Sequence, residues 1–226
     1  MRWDGGGFSV HGSPWELEAF AVGHLVAEGL VSSLRDILSV TIPKSRGDRI
    51  RVDVELARSP RVRGMRRDNV VWGPDDRARP RSATRGRGRV RAEDLVALAR
   101  ILHAKERTLR AEGPLHRGVL YDPASGRVLM ASDLSRHSAI DKVLGMALLG
   151  REPIEGRILY STGRVGEEMT AKALRMGAGA LATRSVPFRA AVDLAVRGRL
   201  LLVGKLRPEG FWVFAGRHRL ARISRT

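Results

Sequence analysis

The chain has 226 residues, 43% of them hydrophobic, enough to bury a sizeable core in one domain or in a core domain with a smaller attachment. It contains no cysteine, which excludes disulfides, zinc ribbons and any thiol nucleophile. A net charge of +17, carried mostly by arginine because only five of the 41 basic residues are lysine, calls for an anionic partner or a reason to lack one.

The first ten residues hold Arg2, Asp4 and three glycines, not a signal-peptide pattern, and no run approaches the roughly 18 to 20 apolar residues of a membrane span. A cytoplasmic protein with no membrane partner is expected. Residues 14 to 29 predict a helix, with Pro14 in its first turn and Ser13 as N-cap. From Arg49 to Leu56 apolar and polar residues alternate strictly, the pattern of a half-buried strand. Between Arg58 and Arg91 twelve arginines stand against Asp68, Asp75 and Asp76, and Gly64, Gly73, Gly86, Gly88, Pro60, Pro74 and Pro80 break any period. That stretch reads as a long loop or linker.

Beyond it, residues 93 to 110 place Leu95, Val96, Leu98, Ala99 and Leu102 at helical spacing. Short apolar runs at 118–121, 128–131, 158–160, 180–183, 200–204 and 211–214 then alternate with helical patterns from about 137, over 165–176 and over 188–196. Such alternation predicts an α/β fold, a sheet with helices on both faces. The expected organisation is an N-terminal α+β part over 1–57, an arginine-rich loop over 58–92, a core over 93–216 and a basic tail over 217–226.

Residues 133 to 145 carry the densest polar chemistry on an otherwise ordinary amphipathic helix. Ala139, Ile140, Val143, Leu144, Ala147 and Leu148 form the apolar face, and His137 and Asp141, one turn apart, flank it. An i,i+4 pair can meet on a helix surface. Asp141 then either orients the His137 ring toward a ligand or simply satisfies it. Arg136, His137 and Ser138 fall near the helix N-terminus, where free backbone N–H groups favour an anion.

The same stretch resembles the signature of the formate dehydrogenase accessory protein (FdhD/NarQ-type sulfurtransferase) family. Asp133, Arg136, His137, Asp141, Lys142 and Gly145 stand as in that family, while Leu134, Ser135 and Ser138 depart from it. Similar blocks follow in the family's order: Ser13-Pro14 through Val31, Gly113-Pro114-Leu115-His116, Ser161-Thr162-Gly163-Arg164 with Glu168 and Lys172, Arg184-Ser185-Val186-Pro187, and Leu202 to Arg207. The resemblance implies a cytidine-deaminase-like α/β/α sandwich for the core, without the deaminase zinc site and so with no metal. It also implies a role in delivering sulfur from a cysteine desulfurase to a molybdenum or tungsten cofactor, bis(molybdopterin guanine dinucleotide), on its way into a formate dehydrogenase-type apoenzyme, and a homodimer.

Sulfur carriage needs a thiolate. Where the family's loop bears two cysteines, this chain has Trp72-Gly73-Pro74-Asp75, so Trp72 and Asp75 replace the thiols and no catalytic residue can be named. Cofactor binding is separable from it. The resemblance places it on Lys205, Leu206, Arg207, Pro208, Glu209 and Gly210, a segment following the strand at 200–204. Arg207 can fork onto a phosphate and Lys205 adds a point charge. Ser161, Gly163 and Arg164 read as the opening of a helix after a strand, Arg184 and Ser185 follow the next strand, and His116, Arg136, His137 and Asp141 can join them in one crevice. The expected cargo is the dinucleotide cofactor, with GDP as its fragment mimic, and a cysteine-bearing paralogue is a candidate partner. The alternatives are a nucleic-acid-binding protein that uses the arginine run, and a hydrolase that uses His137 and Asp141.

Overall fold

The structure, a computed structural model, describes residues 1–3, 6–44, 49–58 and 89–221. Trp72, Asp75 and most of the arginine-rich segment lie outside the described residues. The N-terminal part holds strands β1 (Arg2–Trp3) and β2 (Gly6–Gly7), helix α1 (Leu17–Ala27), and strands β3 (Ile37–Thr41) and β4 (Asp53–Leu56). The four strands form one sheet in the order β2-β1-β4-β3. After the arginine-rich segment come α2 (Ala92–Ala104), α3 (Glu106–Ala111), β5 (His116–Tyr121), β6 (Val128–Asp133) and α4 (Arg136–Leu149). Then follow β7 (Ile158–Ser161), α5 (Glu167–Arg175), β8 (Ala180–Thr183), α6 (Arg189–Arg197), β9 (Leu201–Arg207) and β10 (Gly210–Ala215).

The second sheet runs β10-β9-β8-β7-β5-β6. Its central strands β7, β8 and β9 are parallel, joined by the crossovers α5 and α6, and the flanking pairs are antiparallel. Every residue of β7 and β8 is buried, which explains why Ile-Leu-Tyr-Ser and Ala-Leu-Ala-Thr show no alternation: helices cover both faces. Leu120, Leu159, Leu181 and Leu202 pack on one face against Ile140, Val143, Met169, Ala173 and Ala191 of α4, α5 and α6. On the other, Val119, Tyr160, Ala182 and Val203 pack against Leu95, Leu98 and Ala99 of α2. The α/β architecture with helices on both faces is therefore observed.

Helix α1 is apolar almost all round and buried from Ala19 to Ala27, because it lies between two partners. Leu25 and Val26 pack with Trp3, Val52 and Val54 of the first sheet. Its other side meets α4 so closely that a Cβ on Gly23 would stand 1.8 Å from the Asp141 carbonyl oxygen, and one on Gly145 1.8 Å from that of Ala19. Neither position can hold a side chain without separating the helices.

Several boundaries differ from the sequence expectation. Helix α1 starts at Leu17, not in the turn after Ser13, and Glu16 precedes it with φ 56°. Ser13 is buried instead: its N–H and hydroxyl donate to Asp133 Oδ2 at 3.1 and 2.9 Å, a distant carboxylate outcompeting the local cap. The strand over 49–56 shortens to β4, the helix over 93–110 breaks at Lys105 into α2 and α3, and α5 begins two residues later than predicted. Lys205 to Arg207 do not follow the strand but continue β9, and Gly210 opens β10. At the far end Val90 bridges Leu220.

Candidate functional site

The signature helix α4 divides its polar residues between two tasks. Asp133, Asp141 and Lys142 are each 1% exposed. Lys142 Nζ lies 2.8 Å from Asp133 Oδ2 and donates to Ser13 Oγ at 2.6 Å, tying the segment before α1 to the end of β6. Asp141 Oδ2 stands 2.9 Å from His24 Nδ1 of α1, and its Oδ1 2.5 Å from Lys172 Nζ of α5, which also reaches Glu28 Oε1 at 2.7 Å. Burial pushes the Asp141 carboxyl up, but Lys172 and His24 outweigh it and leave the pKa lowered. The expected His137–Asp141 pair is thus not formed. A buried carboxylate is held by buried cations and dipoles, and here α1 and α5 supply them inside the core.

Arg136 and His137 take the other task. Arg136 makes no hydrogen bond or ion pair among the described residues, and its Nε is buried. Its side chain runs over Gly163, where a Cβ would lie 3.0 Å from Arg136 Cδ and 3.2 Å from His116 Nδ1. His116, Gly163 and Arg136 therefore converge at the rim where β7 ends and β5 begins. Burial first, then Arg136 and Arg117, lowers the His116 pKa. His137 is pushed down to about 4, by burial and then by Arg136 and Lys172, against Glu168 and Asp141. Both shifts favour the neutral imidazole at pH 7.

Two cavities open beside this rim. The larger, about 360 Å³, is walled on one side by Ala99, Leu102, His103, Glu106 and Leu109 of α2 and α3. Gly113 to Arg117, Tyr160, Thr162, Arg184 and Leu206 to Pro208 complete it. Arg184 Nη1 donates to Glu106 Oε1 at 2.7 Å, and Arg207 Nη1 to the carbonyl oxygens of Arg184 and Leu206, both at 2.8 Å. Arg117 is held by Glu112 at 3.0 Å and by the carbonyls of Leu109 and Leu115, while its backbone N–H donates to Thr162 Oγ1 at 2.9 Å. Three guanidiniums fixed at a concave edge formed by strand ends suit an anion with flat apolar parts. The smaller cavity, about 190 Å³, is lined by Phe8, Phe20, His24, Glu28, His137, Asp141, Glu168 and Lys172 among others.

The structure thus divides the predicted crevice. His116, Arg184, Leu206, Arg207 and Pro208 line the larger cavity, and His137 and Asp141 the smaller. Ser161 is fully buried and accepts from Gly163 N–H at 3.2 Å, shaping the turn before α5 and not opening a helix. Arg164 lies over the Phe188 ring at 3.8 Å, and Lys205, with φ 50°, puts Nζ 4.0 Å from the centre of the Trp212 ring. Ser185 N–H donates to Thr183 Oγ1 at 3.0 Å, Leu206 is 3% exposed, and Pro208 and Glu209 turn the β9–β10 hairpin before Gly210 opens β10. Sequence patterns alone do not single out Glu106, Arg117 or Tyr160, whereas Thr162, part of the Ser161 to Arg164 block, does line the larger cavity. Arg117 and Tyr160 sit in strands, and Glu106 in what reads as the continuation of one helix.

Residues 8–221 match the model of the FdhD/NarQ family. The chain belongs to that family. The sulfur carrier protein FdhD of Methanothermobacter thermautotrophicus is 33% identical over 215 residues, 92% of this chain and 82% of the relative. That of Nocardia farcinica is 32% identical over 219 residues, 89% and 78% of the two chains. A crystal structure described as a formate dehydrogenase accessory protein from Desulfotalea psychrophila shares the fold, with a TM-score of 0.72 at 23% identity over 97% of this chain and 86% of the other. This FdhD/NarQ member has no cysteine, and among the described residues no helix is long and apolar enough to cross a membrane.

Proposed function

We propose that this FdhD/NarQ protein is an accessory factor in formate dehydrogenase maturation that holds the molybdenum or tungsten bis(molybdopterin guanine dinucleotide) cofactor as cargo and does not itself carry sulfur. The observation that carries the reading is the cavity at the strand ends, where Arg117, Arg184 and Arg207 surround an apolar hollow of about 360 Å³. Its size suits one nucleotide end of the cargo, with the remainder outside. The relatives' names as sulfur carriers and as a formate dehydrogenase accessory protein support the same setting.

The residues divide the work. Arg184 and Arg207 present N–H donors that neutralise and orient a diphosphate. His116, kept neutral, donates or accepts a hydrogen bond without adding charge. Leu102, Leu109, Leu115 and Leu206 exclude water from the flat part of the ligand. Sulfur comes from a cysteine desulfurase or a cysteine-bearing paralogue, since methionine and hydroxyl side chains cannot form a persulfide. The core is, on this reading, the cytidine-deaminase-like sandwich put to binding. Titration calorimetry with GDP and ADP tests it: GDP binds more tightly, and an absence of GDP binding, or equal binding of ADP, refutes it.

A further inference from the structure

The smaller cavity takes no part in the cofactor reading, and its charge is opposite in sign to that of the molecule. In a chain of net charge +17 its wall carries three carboxylates, Glu28, Asp141 and Glu168, against the single ammonium of Lys172. That ammonium is already shared, with Nζ 2.5 Å from Asp141 Oδ1 and 2.7 Å from Glu28 Oε1. His24 Nδ1 lies against Asp141, so even a charged His24 leaves one negative charge over. His137 adds none at pH 7, its pKa being pushed down to about 4 by burial and then by Arg136 and Lys172. Arg136 acts on His137 but is not part of the wall, because its side chain runs over Gly163 toward His116. Excess negative charge in a partly desolvated hollow is costly, and a cation bound there removes the cost.

Glu168 is the carboxylate that lacks a partner. It is half-buried in the first turn of α5 and makes no hydrogen bond or ion pair among the described residues. The dipole of α5 favours a carboxylate in that turn, which accounts for the residue type but not for the rings that share its cavity. Phe8 and Phe20 line the same hollow, their centroids 6.3 Å apart and their planes at 64°, and Phe8 lies 4.6 Å from the His24 ring. Ring faces attract a cation through their quadrupole, and a carboxylate adds charge and hydrogen bonds. Among the described residues no three His, Asp or Glu side chains are arranged to hold a metal ion, whereas the aromatic corner favours an organic cation. At about 190 Å³ the cavity is smaller than the roughly 300–1,000 Å³ of pockets for drug-sized ligands, so it takes a group the size of one side chain.

We infer that the cavity lined by Phe8, Phe20, Glu28, His137 and Glu168 binds a primary ammonium or guanidinium carried on a short apolar stem. Glu168 is the principal counter-ion, Phe8 and Phe20 cover the stem and the cationic face, and neutral His137 offers a hydrogen bond without repelling the guest. The same chemistry is presented by a free alkylamine or alkylguanidine and by an arginine or lysine side chain of a partner protein.

The experiment titrates the full chain with butylguanidinium, butylammonium and butylurea, the last an uncharged isostere of the first, and follows the ring resonances of Phe8, Phe20 and His137 by NMR. The two cations shift these resonances saturably and butylurea does not. Glu168→Gln keeps the shape of the side chain and weakens both cations by roughly ten- to a hundredfold, the worth of one charge-assisted contact. Phe8→Leu weakens them several-fold. Acetyl-arginine amide separates the sources: binding tighter than that of butylguanidinium assigns the guest to a partner's arginine, and weaker binding assigns it to a free small cation. Butylurea binding as well as butylguanidinium reduces the site to an apolar hollow and overturns the inference, as does a wild-type chain that binds neither cation. If Glu168 serves only the dipole of α5, Glu168→Gln lowers the thermal midpoint and leaves cation affinity unchanged, which overturns it too.

Discussion

Asp141 Oδ1 and Lys172 Nζ stand 2.5 Å apart, each side chain 2% exposed, and join the signature helix α4 to α5 inside the protein. Removing one partner of a buried ion pair leaves the other charge desolvated, which typically costs about 3–5 kcal/mol. Asp141→Ala is therefore expected to lower the denaturation midpoint by that equivalent. The Asp141 pKa is lowered in the fold, so its stabilisation is present above the unfolded value of about 3.9 and lost as pH falls below it. Lys172 is raised, so its share is present below about 10.4 and lost above. Urea titrations across pH check both limbs. An Asp141→Ala chain as stable as wild type at pH 7 would contradict the structural role.

The α1–α4 crossing gives a steric prediction. A methyl group at Gly145 would meet the Ala19 carbonyl oxygen at 1.8 Å, and one at Gly23 the Asp141 carbonyl oxygen at the same distance. Both contacts are with backbone, so the helices must separate. Gly145→Ala should destabilise by at least the 1–3 kcal/mol typical of overpacking, and thermal denaturation measures it. Gly113→Ser, where open space surrounds the glycine but φ is +98°, serves as a comparator that isolates backbone strain from crowding.

These two cases show why the layout was legible in the sequence and the role of the signature was not. Apolar runs at β7, β8 and β9 and the periodicity of α4 depend on nearest neighbours and on which face is covered, so period and length reveal them. The partners of Asp141 are His24 and Lys172, 117 and 31 residues away. No local spacing encodes them, and the i,i+4 neighbour His137 offers a plausible but wrong substitute. Ser13 misleads the same way, because its cap-like position is overruled by Asp133, 120 residues on. Family resemblance points to Arg184 and Arg207, whereas Glu106 lines the cavity because the helix breaks at Lys105 and α3 begins there, a break that helical periodicity does not signal.

Sulfur loading provides a further prediction. With no cysteine in the chain, incubation with a cysteine desulfurase and cysteine should leave the intact mass unchanged. An adduct of one sulfur atom that survives dialysis and is removed by a reductant would refute the assignment of sulfur carriage to a partner.

Arg207 offers a direct test of the phosphate subsite. One guanidinium nitrogen is spent on the carbonyls of Arg184 and Leu206, which fixes its direction and leaves the remaining N–H groups for a ligand. Arg207→Ala should weaken GDP by about 1.5–3 kcal/mol, roughly ten- to a hundredfold. Arg207→Lys should recover only part, because an ammonium cannot fork onto a phosphate. Full recovery by lysine would reduce Arg207 to a point charge.

His137 yields a pH dependence opposite in origin to that of Lys172. Its folded pKa of about 4, set first by burial and then by Arg136 and Lys172, lies below the unfolded value of about 6.5. The unfolded chain therefore takes up a proton that the folded chain refuses. Stability is full above about pH 6.5 and declines as pH falls toward 4, the reverse of a histidine that gains a carboxylate partner. His137→Gln keeps a neutral hydrogen-bonding side chain without the titration, so its stability should be nearly flat between pH 7 and 5 where the wild type declines. An anion held at Arg136 would relieve the repulsion and raise the His137 pKa. Adding inorganic phosphate should then shift the imidazole titration upward in the wild type but not in Arg136→Ala. Proton NMR of the ring resonances reads this, and an identical titration with and without phosphate would show that Arg136 takes no anion.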